Sequence, residues 1–215
     1  AAGGGIRIDA RAPHRLAARN ERLGQFLETE PRRDRDACAE RQRLARPERR
    51  QEAEQPVAAM KPSNPYWVEE PIWPPEDFES LAKLRKAVGM PLAMGENATS
   101  SSDFRKMIAA GATDFVQPSI VKIGGITQLF RIATESEKAG VTCVPHAFFF
   151  GPGYLATLHC IAAKDRDAPL ERLFADVAFV PYSKTVPDVN GAVDVPDRPG
   201  LGADPEEDEL LKYRV

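Results

Sequence analysis

A repeat of strand, turn and helix begins near residue 64 and constrains the chain more than any single motif. "YWVEEP" (66–71) reads as a short buried strand, and "PEDFESLAKLRKAVG" follows with Pro75 near a helix start and Phe78, Leu81, Ala82 and Val88 on one face. "PLAMGEN" (91–97) is a second strand, and Phe104, Met107 and Ile108 then share a helical face that Gly111 ends. "TDFVQPS" (113–119) is a third; its helix opens near Gly124-Gly125 and presents Ile126, Leu129, Phe130 and Ala133. "VTCVPHA" (141–147) is the fourth, with "GPGYLATLHCIAAK" as its helix, and "PLERLF" (169–174) is a fifth. Strands alternating with helices at about 25-residue spacing imply a parallel sheet with right-handed crossovers.

Composition divides the chain. Residues 1–55 hold 13 arginines and no lysine, with Phe26 as their only aromatic; residues 56–215 hold 9 lysines and 7 arginines. Charges in the first segment alternate without keeping an apolar face, so it reads as irregular or as a solvated helix. Arginine-rich, lysine-free text is also what GC-rich DNA yields out of frame. Three segments are therefore expected: 1–57, disordered or out of frame; 58–175, the strand–helix repeat, as a barrel or, without a glycine-rich first turn to support it, a doubly wound sheet; and 176–215, an extended tail with turns and a short last helix.

The formal charge of −3 and the lack of a basic stripe argue against a nucleic-acid surface, and no run of about 18 apolar residues suggests a membrane span. No signal pattern is read at the N-terminus. Cys38, Cys143 and Cys160 are scattered and odd in number, which fits buried thiols in a reducing cytoplasm.

In a (β/α) barrel the chemistry sits at the C-terminal strand ends. Glu69, Glu96, Ser119, His146 and Glu171 fall at five such ends. Two convergent carboxylates share a proton or bind a cation, and a hard ion such as Mg²⁺ takes oxygen ligands. Glu69 and Glu96 are thus candidate metal ligands, with Glu70 turned away by strand alternation. Spacing alone leaves Glu69 and Glu70 equally readable as loop acids. His146, between a strand and a glycine-rich turn, reads as a general acid or base or as a structural histidine. Lys122, before Gly124-Gly125, reads as a ligand contact or a surface lysine. His159 sits in an apolar helix as a structural residue, and His14 carries no role.

"VEEP", "MGEN", "VKIGG", the histidine-bearing strand and "LERL", in this order, resemble the catalytic barrel of the enolase superfamily, in its mandelate racemase/muconate-lactonizing branch. The resemblance covers about residues 58–215. It implies the C-terminal portion of a (β/α)₇β TIM-type barrel, incomplete here, whose tail packs on a capping domain in intact relatives. It implies abstraction of a proton α to a carboxylate, with the enediolate stabilised by Mg²⁺. Glu69 and Glu96 match the second and third metal ligands, His146 the seventh-strand acid/base, and Glu171 an eighth-strand acid that can hydrogen-bond a substrate carboxylate. Ser119 stands where the racemase pattern carries an Asp and, with Lys122, is a candidate substrate contact. A serine cannot offset imidazolium charge, which favours dehydration of an acid sugar over racemisation. No family-like Asp or lysine base precedes Glu69; Asp34 and Asp36 are near the right distance only. Expected partners are a small carboxylate substrate and, as in many relatives, further copies of the chain. A racemase or epimerase, and an inactive fragment or interaction module with open sheet edges, are the alternatives.

Overall fold

The computed structural model describes residues 7–9, 46–147, 151–164, 169–171, 182, 188–189, 192–212 and 214. In chain order these form β1 (Arg7–Asp9), α1 (Arg46–Ala59), β2 (Val68–Glu69), α2 (Phe78–Val88), β3 (Leu92–Met94), α3 (Ser101–Ala109), β4 (Phe115–Val116), α4 (Ile126–Lys138), β5 (Thr142–Cys143), α5 (Pro152–Lys164), β6 (Asp188–Val189), β7 (Ala192–Asp194) and α6 (Glu207–Leu211). The strand order is β2-β3-β4-β5 in one sheet and β1-β7-β6 in the other. The first sheet, alternating with helices, is the parallel α/β arrangement of a barrel portion. No described helix is long and apolar enough to cross a membrane.

The chain divides into two compact units, with the boundary running through α3 and β4. The first comprises residues 15–94 and 106–115. Here β2 runs parallel to β3 in the register Val68↔Leu92 and Glu69↔Ala93. Buried Val68, Leu81, Leu84, Val88, Leu92, Met94 and Met107 fill its core. Helix α2 starts at Phe78 because the Asp77 side chain accepts the Ser80 N–H at 3.2 Å. Pro75 thus precedes the cap. Gly89, at φ 60°, closes the helix. Helix α1 packs against α2 and buries Val57, so the arginine-rich segment enters the core at its C-terminal end.

One ion pair ties three elements of this unit together. Arg85 of α2 donates through Nε to Asp114 Oδ2 at 2.8 Å and through Nη2 to Asp114 Oδ1, while Nη1 reaches the Gly111 carbonyl at 3.3 Å. Asp114 Oδ2 also accepts the Leu92 N–H at 2.9 Å, at the start of β3.

The second unit comprises residues 1–14, 95–105 and 116–215. The Val144 N–H reaches the Val116 carbonyl, and an isolated parallel bridge joins Ser119 to His146. Helix α4 buries Leu129, Ile132 and Ala133, but Ile126 in its first turn is 44% exposed and leaves the expected face. Helix α5 buries Tyr154, Leu155, Leu158 and Ile161, which cluster with Ala147, Leu170, Tyr182 and Val193. The tail is thus anchored on α5, and His159 Nε2 lies 3.1 Å from the Leu201 carbonyl. β1 pairs antiparallel with β7 in the register Ile8↔Val193. Of the expected fifth strand, Pro169, Leu170 and Glu171 have no regular structure and the rest lies outside the described residues, as do His14, Asp34, Asp36 and Cys38.

Candidate active site

His146 is the centre of the site in the second unit. Its side chain is 1% exposed, and Nδ1 stands 2.8 Å from Glu171 Oε2 and 3.4 Å from Glu96 Oε2. Backbone holds both sides of this arrangement. The His146 N–H donates to the Pro118 carbonyl at 3.2 Å, and the Ala147 N–H donates to Glu171 Oε2 at 3.1 Å. One carboxylate oxygen thereby fixes its position against the strand and faces the ring.

The charge balance follows from these contacts. Burial pushes the imidazole pKa down, but contact with Glu171 and the charges of Glu171 and Glu96 outweigh burial and a smaller opposing push from Lys122. The pKa ends above its ordinary value of 6.5, in the direction that favours the protonated ring. Ser119 Oγ is buried and has no hydrogen-bond partner among the described residues. It contributes its backbone to the bridge with His146 and does not hydrogen-bond the imidazole. Counter-charge comes instead from two glutamates.

Glu96 follows Gly95, whose φ of 119° suits glycine. A Cβ at Gly95 would meet Phe104 Cε1 at 2.7 Å and the Gln117 nitrogen at 3.3 Å. The backbone at Gly95 therefore packs close against Phe104 and the Gln117 backbone. Asn97, next along, accepts from Lys122 Nζ at 3.4 Å. Lys122 itself is exposed, and its ammonium meets no carboxylate among the described residues.

Glu69 is the last residue of β2 in the first unit, half-buried, with Oε2 accepting from Trp67 Nε1 at 3.3 Å. Trp67 is braced by Tyr66 and Phe115, with ring centroids 5.2 and 5.1 Å away. The strand stops here. Glu70 takes a left-handed φ of 38° before buried Pro71, so alternation does not decide its direction. Trp67 and Gly95 are the residues that reading the motifs passed over. The aromatic run pointed at the first, and the glycine inside "MGEN" at the second.

Among the described residues, no group of three or more His, Cys, Asp or Glu is arranged to hold a metal. Each strand-end glutamate, taken by itself, offers the carboxylate oxygens that a hard cation takes. Glu96 Oε2 is buried and accepts no hydrogen bond from the described residues, with the His146 ring 3.4 Å away.

The sequence family described as "Enolase C-terminal domain-like" matches residues 42–209. The chain belongs to this family. The match within the enolase C-terminal domain-like family begins inside the arginine-rich segment. A D-galactarolactone cycloisomerase of Agrobacterium fabrum is 33% identical over 159 residues, 69% of this chain and 42% of the relative. The crystal structure of the 3,6-anhydro-D-galactonate cycloisomerase from Zobellia galactanivorans superposes with a TM-score of 0.69 at 29% identity, covering 76% of this chain and 47% of that one. The L-talarate dehydratase of a Polaromonas species, complexed with Mg and L-glucarate, gives 0.62 at 28% identity over 75% and 43%. The chain thus spans less than half the length of these relatives. These relatives include cycloisomerases and a dehydratase.

Proposed function

We propose that this chain carries the acid/base side of a site that dehydrates an acid sugar by removing the proton α to its carboxylate. The observation that carries the reading is the paired approach of Glu171 and Glu96 to His146 Nδ1, at 2.8 and 3.4 Å. An imidazole faced by two carboxylates is stabilised in its protonated form, the form that acts as an acid. Elimination needs such a group: as the α C–H bond breaks, the β C–O bond breaks too, and the departing hydroxyl takes a proton to leave as water. His146 supplies that proton, assigned to Nε2, and Glu171 and Glu96 stabilise the imidazolium beforehand. The resemblance puts the acceptor of the α proton on an upstream strand, where this sequence carries no family-like lysine.

The resemblance implies Mg²⁺ with Glu69 and Glu96 among its ligands, and when bound it would supply the positive charge that offsets the anion developing on the substrate carboxylate. Trp67 orients Glu69 for this, and the tight turn at Gly95 orients Glu96. Lys122, which is exposed, turns its ammonium to the substrate's anionic groups, whereas Ser119 is fully buried.

The test is to incubate the protein with Mg²⁺ and a panel of aldonic and aldaric acids in D₂O and follow proton NMR. A 3-deoxy-2-keto acid that forms with the wild type and disappears with His146→Asn supports dehydration. Deuterium entering the α position with no keto acid would favour the racemase reading. Neither signal, from a folded protein that still binds Mg²⁺, would make the chain a non-catalytic module.

A further inference from the structure

A cavity of about 360 Å³ opens within the second unit, between α4, β5 and α5. Its walls come from Leu129 and Ala133 of α4, Cys143 and Pro145 of the β5 segment, and Cys160 and Ile161 of α5. Leu129, Ala133, Cys160 and Ile161 are buried, at 2 to 3% exposure. Val141, Thr142, Cys143 and Pro145 line it, whereas Val144 and His146 are buried without lining it. The cavity therefore lies behind the strand that carries the catalytic ring.

The lining chemistry narrows what fits. Burial pushes the Cys143 thiol up to about 12 and the Cys160 thiol up to about 11, so both stay neutral. Two neutral sulfurs offer soft, polarizable surface suited to hydrocarbon or aromatic bodies. The charged groups of the lining are Glu137 and Lys164, paired at 2.6 Å. Their exposures differ, 56% for the Glu137 side chain and 26% for Lys164. Glu137 is the more exposed member, and a solvent-exposed pair resists exchange of one partner weakly. Lys164 lines the cavity with a positive charge. The volume falls in the range of about 300–1,000 Å³ that ligand sites occupy.

We propose that this cavity binds an amphipathic monocarboxylate. Its apolar body lies against Leu129, Ala133, Ile161 and the two cysteine sulfurs, and its head replaces Glu137 on Lys164. The site is separate from the one assigned to the acid sugar and does not depend on that assignment.

Octanoate is the probe and 1-octanol the control without a charged head. Octanoate should raise the melting temperature saturably, and it should slow iodoacetamide labelling of Cys143 and Cys160 while Cys38 serves as internal reference. Lys164→Met should weaken octanoate several-fold and leave 1-octanol unchanged. Ala133→Phe, which fills the cavity, should abolish the protection of both thiols. Octanoate that neither stabilises the protein nor protects these cysteines overturns the proposal. So does binding that Lys164→Met leaves untouched, a readout on a partly exposed residue that survives even if Ala133→Phe fails to fold.

Discussion

Replacing Asp114 separates two things its carboxylate does at once. Oδ1 and Oδ2 together take the Arg85 guanidinium, and Oδ2 also takes the N–H of Leu92, which is fully buried. Both side chains of the ion pair are about a third exposed, 35% for Arg85 and 29% for Asp114. Water screens a pair so placed, which discounts it to about 1 kcal/mol despite its bidentate form. The Leu92 N–H is different, because without an acceptor it is stranded in the core at a cost of about 1–2 kcal/mol. Asp114→Ala loses both and should destabilise by about 2–3 kcal/mol. Asp114→Asn keeps an acceptor for Leu92 and should lose only about 1 kcal/mol. Urea denaturation of the two variants, compared at constant m-value, measures the difference. Equal losses would refute the division, and a loss below about 0.5 kcal/mol for alanine would refute the anchoring role altogether.

The same residue sets an acid limit. Burial pushes the Asp114 pKa up, but the Arg85 hydrogen bonds, the Leu92 N–H and the Arg85 charge outweigh it and leave the pKa below its ordinary value. A depressed folded pKa stabilises above the unfolded value, about 3.9. That stabilisation should hold at neutral pH and fade only as pH falls below about 4, through the lower folded pKa. Wild type and Asp114→Ala should therefore converge in stability at strongly acid pH.

Three further outcomes test the site. Gly95→Ala should cost about 2 kcal/mol or more, because its Cβ meets Phe104 and the backbone at Gln117 in a left-handed conformation; an unchanged denaturation midpoint would show that the turn yields. In metal-free protein, Glu171→Gln should lower the pH at which the His146 ring titrates by NMR. Since the folded imidazole pKa is raised, the Glu171 contact stabilises fully below the unfolded value, about 6.5, and fades as pH rises through the folded one; a stability gap between wild type and Glu171→Gln that ignores pH would refute this. Millimolar Mg²⁺ should raise the melting temperature of the wild type, and Glu96→Gln should remove the shift.

Most of the helices were legible because their caps and apolar faces are local. Phe78–Val88, Ser101–Ala109, Ile126–Lys138 and Pro152–Lys164 lie within the segments expected from periodicity. Errors came where a nearby side chain overrode a rule: Asp77 caps α2 two residues beyond Pro75, and Ile126 stays outside despite its phase. The pairing of β1 with β7 joins residues near opposite ends of the chain, and no local pattern encodes such a register.

The site was legible as an order of strand ends and less so as a set of contacts. Ser119 drew attention because it stands where an aspartate was expected, and its loss suggested an imidazole without counter-charge. The gap is closed by acids from elsewhere, Glu171 at 2.8 Å and Glu96 at 3.4 Å. A glutamate carries one methylene more than an aspartate, so an acid at another strand end can reach a ring that a shorter side chain would need to neighbour. Spacing in the sequence identifies which ends carry charge but not how far each side chain extends across. A substitution at position 119 should consequently matter less to the ring's protonation than one at 171, because the serine hydroxyl makes no described hydrogen bond and the carboxylate makes the nearest contact.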